Sequence, residues 1–84
     1  MDPSHSPLLI LYCSNHCPFT QKVLDYLEET DREVTLKNID EDPKAKEELI
    51  HLGGKKQTPC LFIDGVPLYE SDDIIDWFKE NEDA

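Results

Sequence analysis

The run LLILY, Leu8 to Tyr12, holds five apolar residues in succession with no polar alternation. A strand that presents carbon on both faces belongs in the middle of a sheet and has to be covered from both sides. With 84 residues to do this, the chain has material for one domain and one modest core, and little left over. We expect a single domain over residues 1–84, its packed part running from about 7 to 81.

Beyond that strand the pattern changes period. Pro18 suits a first helical position, where its missing N–H would be unpaired in any case. Phe19, Val23, Leu24 and Leu27 then recur at helical spacing, with Gln21, Lys22, Asp25 and Glu28 facing away. This predicts a first helix over Pro18 to Glu29. EVTLKNI, Glu33 to Ile39, alternates through Val34 and Leu36 and reads as a second strand, parallel to the first because a crossover helix joins them. A second helix follows, capped by Asp42, opened by Pro43 and stopped by a left-handed Gly53. CLFI and VPLY flank Asp64-Gly65, a strong hairpin signal, and Pro67 sends the last strand to a sheet edge because it cannot donate to the ladder. Ser71 caps a closing helix, with Asp72 and Asp73 in its first turn and Ile74, Ile75 and Phe78 as its buried stripe, Trp77 beside them. The expected class is α/β, in the order β-α-β-α-β-β-α, with a four-stranded mixed sheet flanked by three helices.

The stretch YCSNHCPFT sets two cysteines and a histidine directly ahead of the first helix. A metal clip, a disulfide and one activated thiol are the candidates. Three cysteines cannot all pair within one chain. A closed zinc site needs four ligands, and Cys60, His5 and His51 form no second pair to join Cys13, His16 and Cys17. The activated thiol has more behind it. As the N-cap of a helix beginning at Pro18, Cys17 sets its sulfur beside the free N–H groups of Phe19 and Thr20. At such helix ends a cysteine pKa falls from about 8.5 into the range ~3.5–7.5. The Thr20 hydroxyl adds a donor to the same anion, and Lys22 brings a positive charge within about a turn. Cys17 and Thr20 are therefore the candidate catalytic residues, and His16 is a loop residue shielding or polarising the thiolate. Cys13 reads as a small buried hydrophobe that could act as a resolving thiol. Cys60 reads as an inert buried thiol, and His5 and His51 as surface histidines.

Nineteen acidic residues against eight Lys and Arg leave a formal net charge of −11. A field of that sign repels phosphate backbones and anionic lipid surfaces, so nucleic acid and membrane are not expected partners. It favours a soluble monomer, and a small anionic ligand then needs local positive potential. The N-terminal stretch has no basic segment or long apolar run of the kind that leads a secreted chain. The expected location is a reducing cytoplasm, where cysteines are more often reactive or buried than cross-linked.

CPFT opening the first helix, GGKKQTPCLFIDG with its Thr58-Pro59, and YESDDIIDWF at the last helix resemble, in order and spacing, the glutaredoxin branch of the thioredoxin-like fold. The likeness covers about Pro7 to Asn81 and extends to the N-terminal, glutathione-binding domain of glutathione transferases. It implies a cis peptide bond before Pro59, setting the Thr58 backbone beside Cys17 to pair in strand fashion with the cysteine of glutathione. It implies that Ser71 and Asp72 hold the γ-glutamyl end, and that Gln57, with Lys56, meets the glycine carboxylate. His16 and Phe19, beside Cys17 in the chain, belong to the same implied site. Lys55 and Lys56 read equally well as a solvated turn.

Two departures bear on activity. Dithiol glutaredoxins carry CPYC, and Thr20 stands where the second sulfur would be. Many also carry a lysine three residues before the nucleophile, and here that position is Ser14. The resemblance then implies a glutathione-dependent thiol–disulfide oxidoreductase working by a monothiol route on glutathionylated proteins or small disulfides, with glutathione as co-substrate. Two other readings stay open. One is a [2Fe–2S] cluster held between two copies by Cys17 and glutathione, which thiolate ligation permits. The other is a glutathione-binding domain with little turnover. CPFT is also similar to the CPFS of dehydroascorbate reductases, which adds small oxidised substrates.

Overall fold

The structure, a computed structural model, describes residues 8–81. His5 and the beginning of the resemblance at Pro7 lie outside the described residues. Within them the order is β1 (Leu9–Cys13), α1 (Pro18–Glu29), β2 (Thr35–Asn38), α2 (Pro43–Gly53), β3 (Cys60–Ile63), β4 (Val66–Tyr69) and α3 (Ser71–Glu80). The strands form one sheet in the order β2-β1-β3-β4. β1 runs parallel to β2 and antiparallel to β3, and β3 pairs antiparallel with β4. This is the mixed thioredoxin-like sheet that the sequence implies, with Pro67 on the edge strand. At the hairpin, Asp64 and Gly65 both adopt positive φ (50° and 88°), as a two-residue turn of that hand requires.

The apolar run in β1 is explained by its two faces. Leu9 and Leu11, with Leu61 and Ile63 of β3, face α1 and α3, where Val23, Leu27, Ile74, Ile75 and Phe78 complete one core. Ile10 and Tyr12, with Cys60 and Phe62, face the other way onto Ala45 and Leu49 of α2. Full burial of a leucine such as Leu11 or Leu61 contributes about 1.5–3 kcal/mol, so each layer is held mainly by a handful of such side chains. No helix among the described residues is long and apolar enough to cross a membrane.

Four expectations are corrected. Phe19 is 61 % exposed and does not join the core; Thr20, 1 % exposed, takes the buried place, so the inner stripe of α1 is Thr20, Val23 and Leu27. Both choices keep helical spacing to Val23, and contact with the sheet selects the second. Gly53 is the last helical residue, and its neighbour Gly54 takes the left-handed stop (φ 84°), returning its N–H to the Ile50 carbonyl at 2.9 Å. Gly53 is there for space. A Cβ on it would stand 2.3 Å from the Tyr69 hydroxyl oxygen, which donates to the Gly53 carbonyl at 2.8 Å. Ser71 is the buried first residue of α3, and Glu70 is its N-cap. β2 is shorter than Glu33 to Ile39, and Leu36 on it is exposed because the strand forms an open edge.

Candidate functional site

α1 starts where Cys17, with extended backbone (φ −112°, ψ 110°), hands the chain to Pro18. The Gln21 N–H closes the first turn on the Cys17 carbonyl at 3.1 Å. The Cys17 thiol is half-buried and donates to the Thr58 carbonyl at 3.4 Å. Burial by itself pushes this thiol up. The hydroxyl and N–H of Thr20, the Thr58 hydroxyl and the Phe19 N–H outweigh that effect, and its pKa ends below the ordinary thiol value. None of these donors closes a full capping bond on the sulfur. Among the described residues, Thr20 Oγ1 is a buried side-chain oxygen without a hydrogen-bond partner. An unmet buried hydroxyl costs about 1–3 kcal/mol, and a negative sulfur would relieve it. Lys22 does not act on the sulfur as expected from sequence. Its ammonium is ion-paired with Asp72, joining α1 to the first turn of α3.

Beside Cys17 lies a cleft of about 340 Å³ lined by Phe19, Gln57, Thr58, Pro59, Glu70, Ser71 and Asp72. Six of the seven residues assigned to glutathione from sequence therefore meet in one place. The seventh, His16, is exposed and opens on a neighbouring hollow with Ser14, Asp40 and Lys56. Thr58 is the wall common to both hollows. The Thr58-Pro59 bond is cis. Ser14, at the position of the lysine found in many glutaredoxins, shares a hydrogen bond with the Thr58 hydroxyl at 2.8 Å and braces that loop. Lys55 lies over the Tyr69 ring, 4.5 Å from its centroid.

Glu70 is the cleft residue that sequence reasoning missed. Its backbone is left-handed (φ 74°), and its carboxylate accepts a hydrogen bond from Gln57 Nε2 at 3.2 Å. The only local signal was its place just before Ser71, which reads equally well as a polar end to β4.

The other two thiols are set apart. Cys13 is buried and donates to the Lys37 carbonyl at 3.6 Å, and burial, with Glu41 and Asp40 nearby, pushes its pKa up. Cys60 is fully buried, and burial pushes it up to about 11 despite opposing hydrogen bonds from Tyr69 and Leu68. All three cysteines are free. Among the described residues, no group of three or more His, Cys, Asp or Glu side chains could hold a metal ion.

Residues 11–84 match the family model for the glutathione S-transferase N-terminal domain. The chain belongs to that family. Membership is consistent with glutathione as co-substrate and with a glutathione-related thiol chemistry. Solved structures share the architecture. A glutathione transferase Omega 3C from Trametes versicolor superposes with a TM-score of 0.77 at 22 % identity, over 95 % of this chain and 36 % of its own. The holo form of glutaredoxin C1 from Populus tremula × tremuloides gives 0.68 at 20 % identity, over 94 % and 81 %. A glutathione S-transferase from the Antarctic clam Laternula elliptica gives 0.70 at 26 % identity, over 87 % and 34 %. This family member thus spans about a third of the two transferases and most of the glutaredoxin. No curated protein sequence matches it.

Proposed function

We propose that the protein is a glutathione-dependent thiol–disulfide oxidoreductase that reduces glutathione mixed disulfides by a monothiol route through Cys17. The observation that carries this is the contrast among its three free thiols. Cys17 alone has a lowered pKa, and it alone stands half-exposed beside a cleft built around cis-Pro59. In the first step the Cys17 thiolate attacks the glutathione sulfur of a mixed disulfide, and the partner leaves as a thiolate that takes a proton from water. In the second, the thiolate of another glutathione attacks the same glutathione sulfur, forming glutathione disulfide and expelling Cys17 as the thiolate. A low-pKa sulfur is a good leaving group, so the same amides serve both steps.

The cleft residues divide the work. Thr58, held by Ser14, offers its backbone to the cysteine of the tripeptide. Ser71 and Asp72, at the start of α3, take the γ-glutamyl end, where helix N–H groups suit a carboxylate and the acid suits the amine. Gln57 takes the glycine carboxylate, with His16 and Lys56 in the adjoining hollow as the nearest positive groups, and Phe19 forms an apolar wall. Thr20 supplies a hydroxyl to the Cys17 anion. Free, reactive thiols of this kind fit a reducing cytoplasm.

The test is turnover of a glutathionylated model peptide with glutathione, glutathione reductase and NADPH. We expect activity that disappears in Cys17→Ser. No turnover, or turnover unchanged by that substitution, overturns the reading.

A further inference from the structure

The cleft beside Cys17 has an electrostatic problem. Among the described residues, two carboxylates, Glu70 and Asp72, line it, and no cation does. Asp73 stands in the same helical turn, on a chain of net charge −11. Glutathione at neutral pH carries one ammonium and two carboxylates, so it arrives as an anion. Helix amides offer it dipoles, which fall off within a turn. The cation that touches this wall is Lys22, reaching from α1 to the Asp72 carboxylate.

We propose that Lys22 binds the α-carboxylate of the γ-glutamyl group, so that the Lys22–Asp72 pair is a preformed receptor for a zwitterion. The γ-glutamyl end bears its ammonium and carboxylate on a single carbon. That pair of opposite charges matches an ion pair spanning the ends of two helices: the ammonium takes Asp72, and the carboxylate takes Lys22. Both side chains are open to water, 53 % and 76 % exposed. An ion pair so open to solvent is screened and holds its partners only weakly, so the ligand can part them at small cost. The proposal rests on the glutathione reading above and makes Lys22 a specificity-determining residue of that site.

The alternative has the opposite sign. A Lys22 that merely occupied Asp72 would compete with the ligand's ammonium, and removing it would tighten binding. Calorimetric titration of the reduced protein separates the two, with glutathione and with 4-aminobutyryl-Cys-Gly, which keeps the ammonium and lacks the α-carboxylate. We expect Lys22→Gln to weaken glutathione binding about three- to fivefold, as an exposed charge contact allows, and to leave binding of the decarboxylated ligand undiminished or somewhat tighter, since its ammonium then meets no competitor at Asp72. Lys22→Arg should restore most of the loss. Tighter glutathione binding in Lys22→Gln, or equal weakening for both ligands, overturns the proposal while leaving the glutathione site intact. Wild-type protein that binds neither ligand overturns both.

Discussion

Helices α1 and α2 open with the same device, an extended cap residue followed by proline, Cys17-Pro18 in one and Asp42-Pro43 in the other. Their cap backbones are close to superposable, with φ and ψ of −112° and 110° against −126° and 104°. They differ in what the cap side chain does. Asp42 accepts a hydrogen bond from the Lys44 N–H at 3.0 Å and satisfies part of the helix end. Cys17 closes no such bond, and neither helix has an acidic residue within its first turn to answer the dipole. One start is finished by a carboxylate and only stabilises. The other keeps its amides, and the orphaned Thr20 hydroxyl, in reserve for a charge that forms during reaction. The stability given up at α1 is about what a good cap contributes, on the order of 1 kcal/mol.

The most drastic way to erase this contrast is to give α1 the cap of α2. Cys17→Asp should reduce mixed-disulfide turnover to background while raising stability by about 1 kcal/mol, roughly 4–8 °C in Tm for a domain of this size. Unchanged or lower stability by thermal melting would show that the α1 amides are not open.

Next in size is the difference between Cys17 and the deep thiols. At pH 7, alkylation followed by peptide mass spectrometry should find Cys17 at least ~100-fold faster than Cys60, since each pKa unit is worth tenfold in thiolate and Cys60 sits near 11. The two thiols also act oppositely on stability. Cys17, lowered in the folded chain, contributes stability that is present above its unfolded value and is lost as pH falls through the folded one. Cys60, raised by burial, contributes stability that is present below its unfolded value and is lost as pH rises toward 11. Denaturant melts of wild type and of Cys17→Ser across pH 5–9 should therefore diverge toward the alkaline side.

Asp42→Ala tests the other cap. It should cost about 0.5–2 kcal/mol in urea unfolding and leave the Cys17 alkylation rate unchanged. A change in that rate would mean the two helix starts are coupled.

The smallest effect is expected from Thr20→Val, which keeps the shape and removes the hydroxyl. Alkylation of Cys17 at pH 6.5 should slow by about threefold or more, because a donor to the thiolate is gone. At pH 5, with the Cys17 thiol protonated, stability should not fall, since the hydroxyl then has no partner to lose. A clear loss of stability would assign Thr20 a packing role instead.

Local features carried much of this protein. The unbroken apolar run of β1, the Asp64-Gly65 turn and the edge proline are decided by backbone sterics and by water, which act on neighbouring residues. They yield the element order, the hairpin and the placement of Cys17 at a helix start without reference to anything distant. The resemblance in CPFT and Thr58-Pro59 then marked six residues that meet in one cleft.

What lay beyond the sequence are matters of which side chain meets which across the fold. Phe19 or Thr20 fits the helical period equally well, and only contact with the sheet turned Thr20 inward and left Phe19 at the rim. Gly53 and Gly54 are adjacent and alike on paper; the Tyr69 hydroxyl, sixteen residues on, claims the space at one and leaves the left-handed turn to the other. Lys22 looked like a neighbour of Cys17, and Asp72, fifty residues away, holds it instead. Sequence determines local backbone choices because their energies are local. It leaves cross-chain pairing open, because a side chain's partner depends on where two distant helices come to rest.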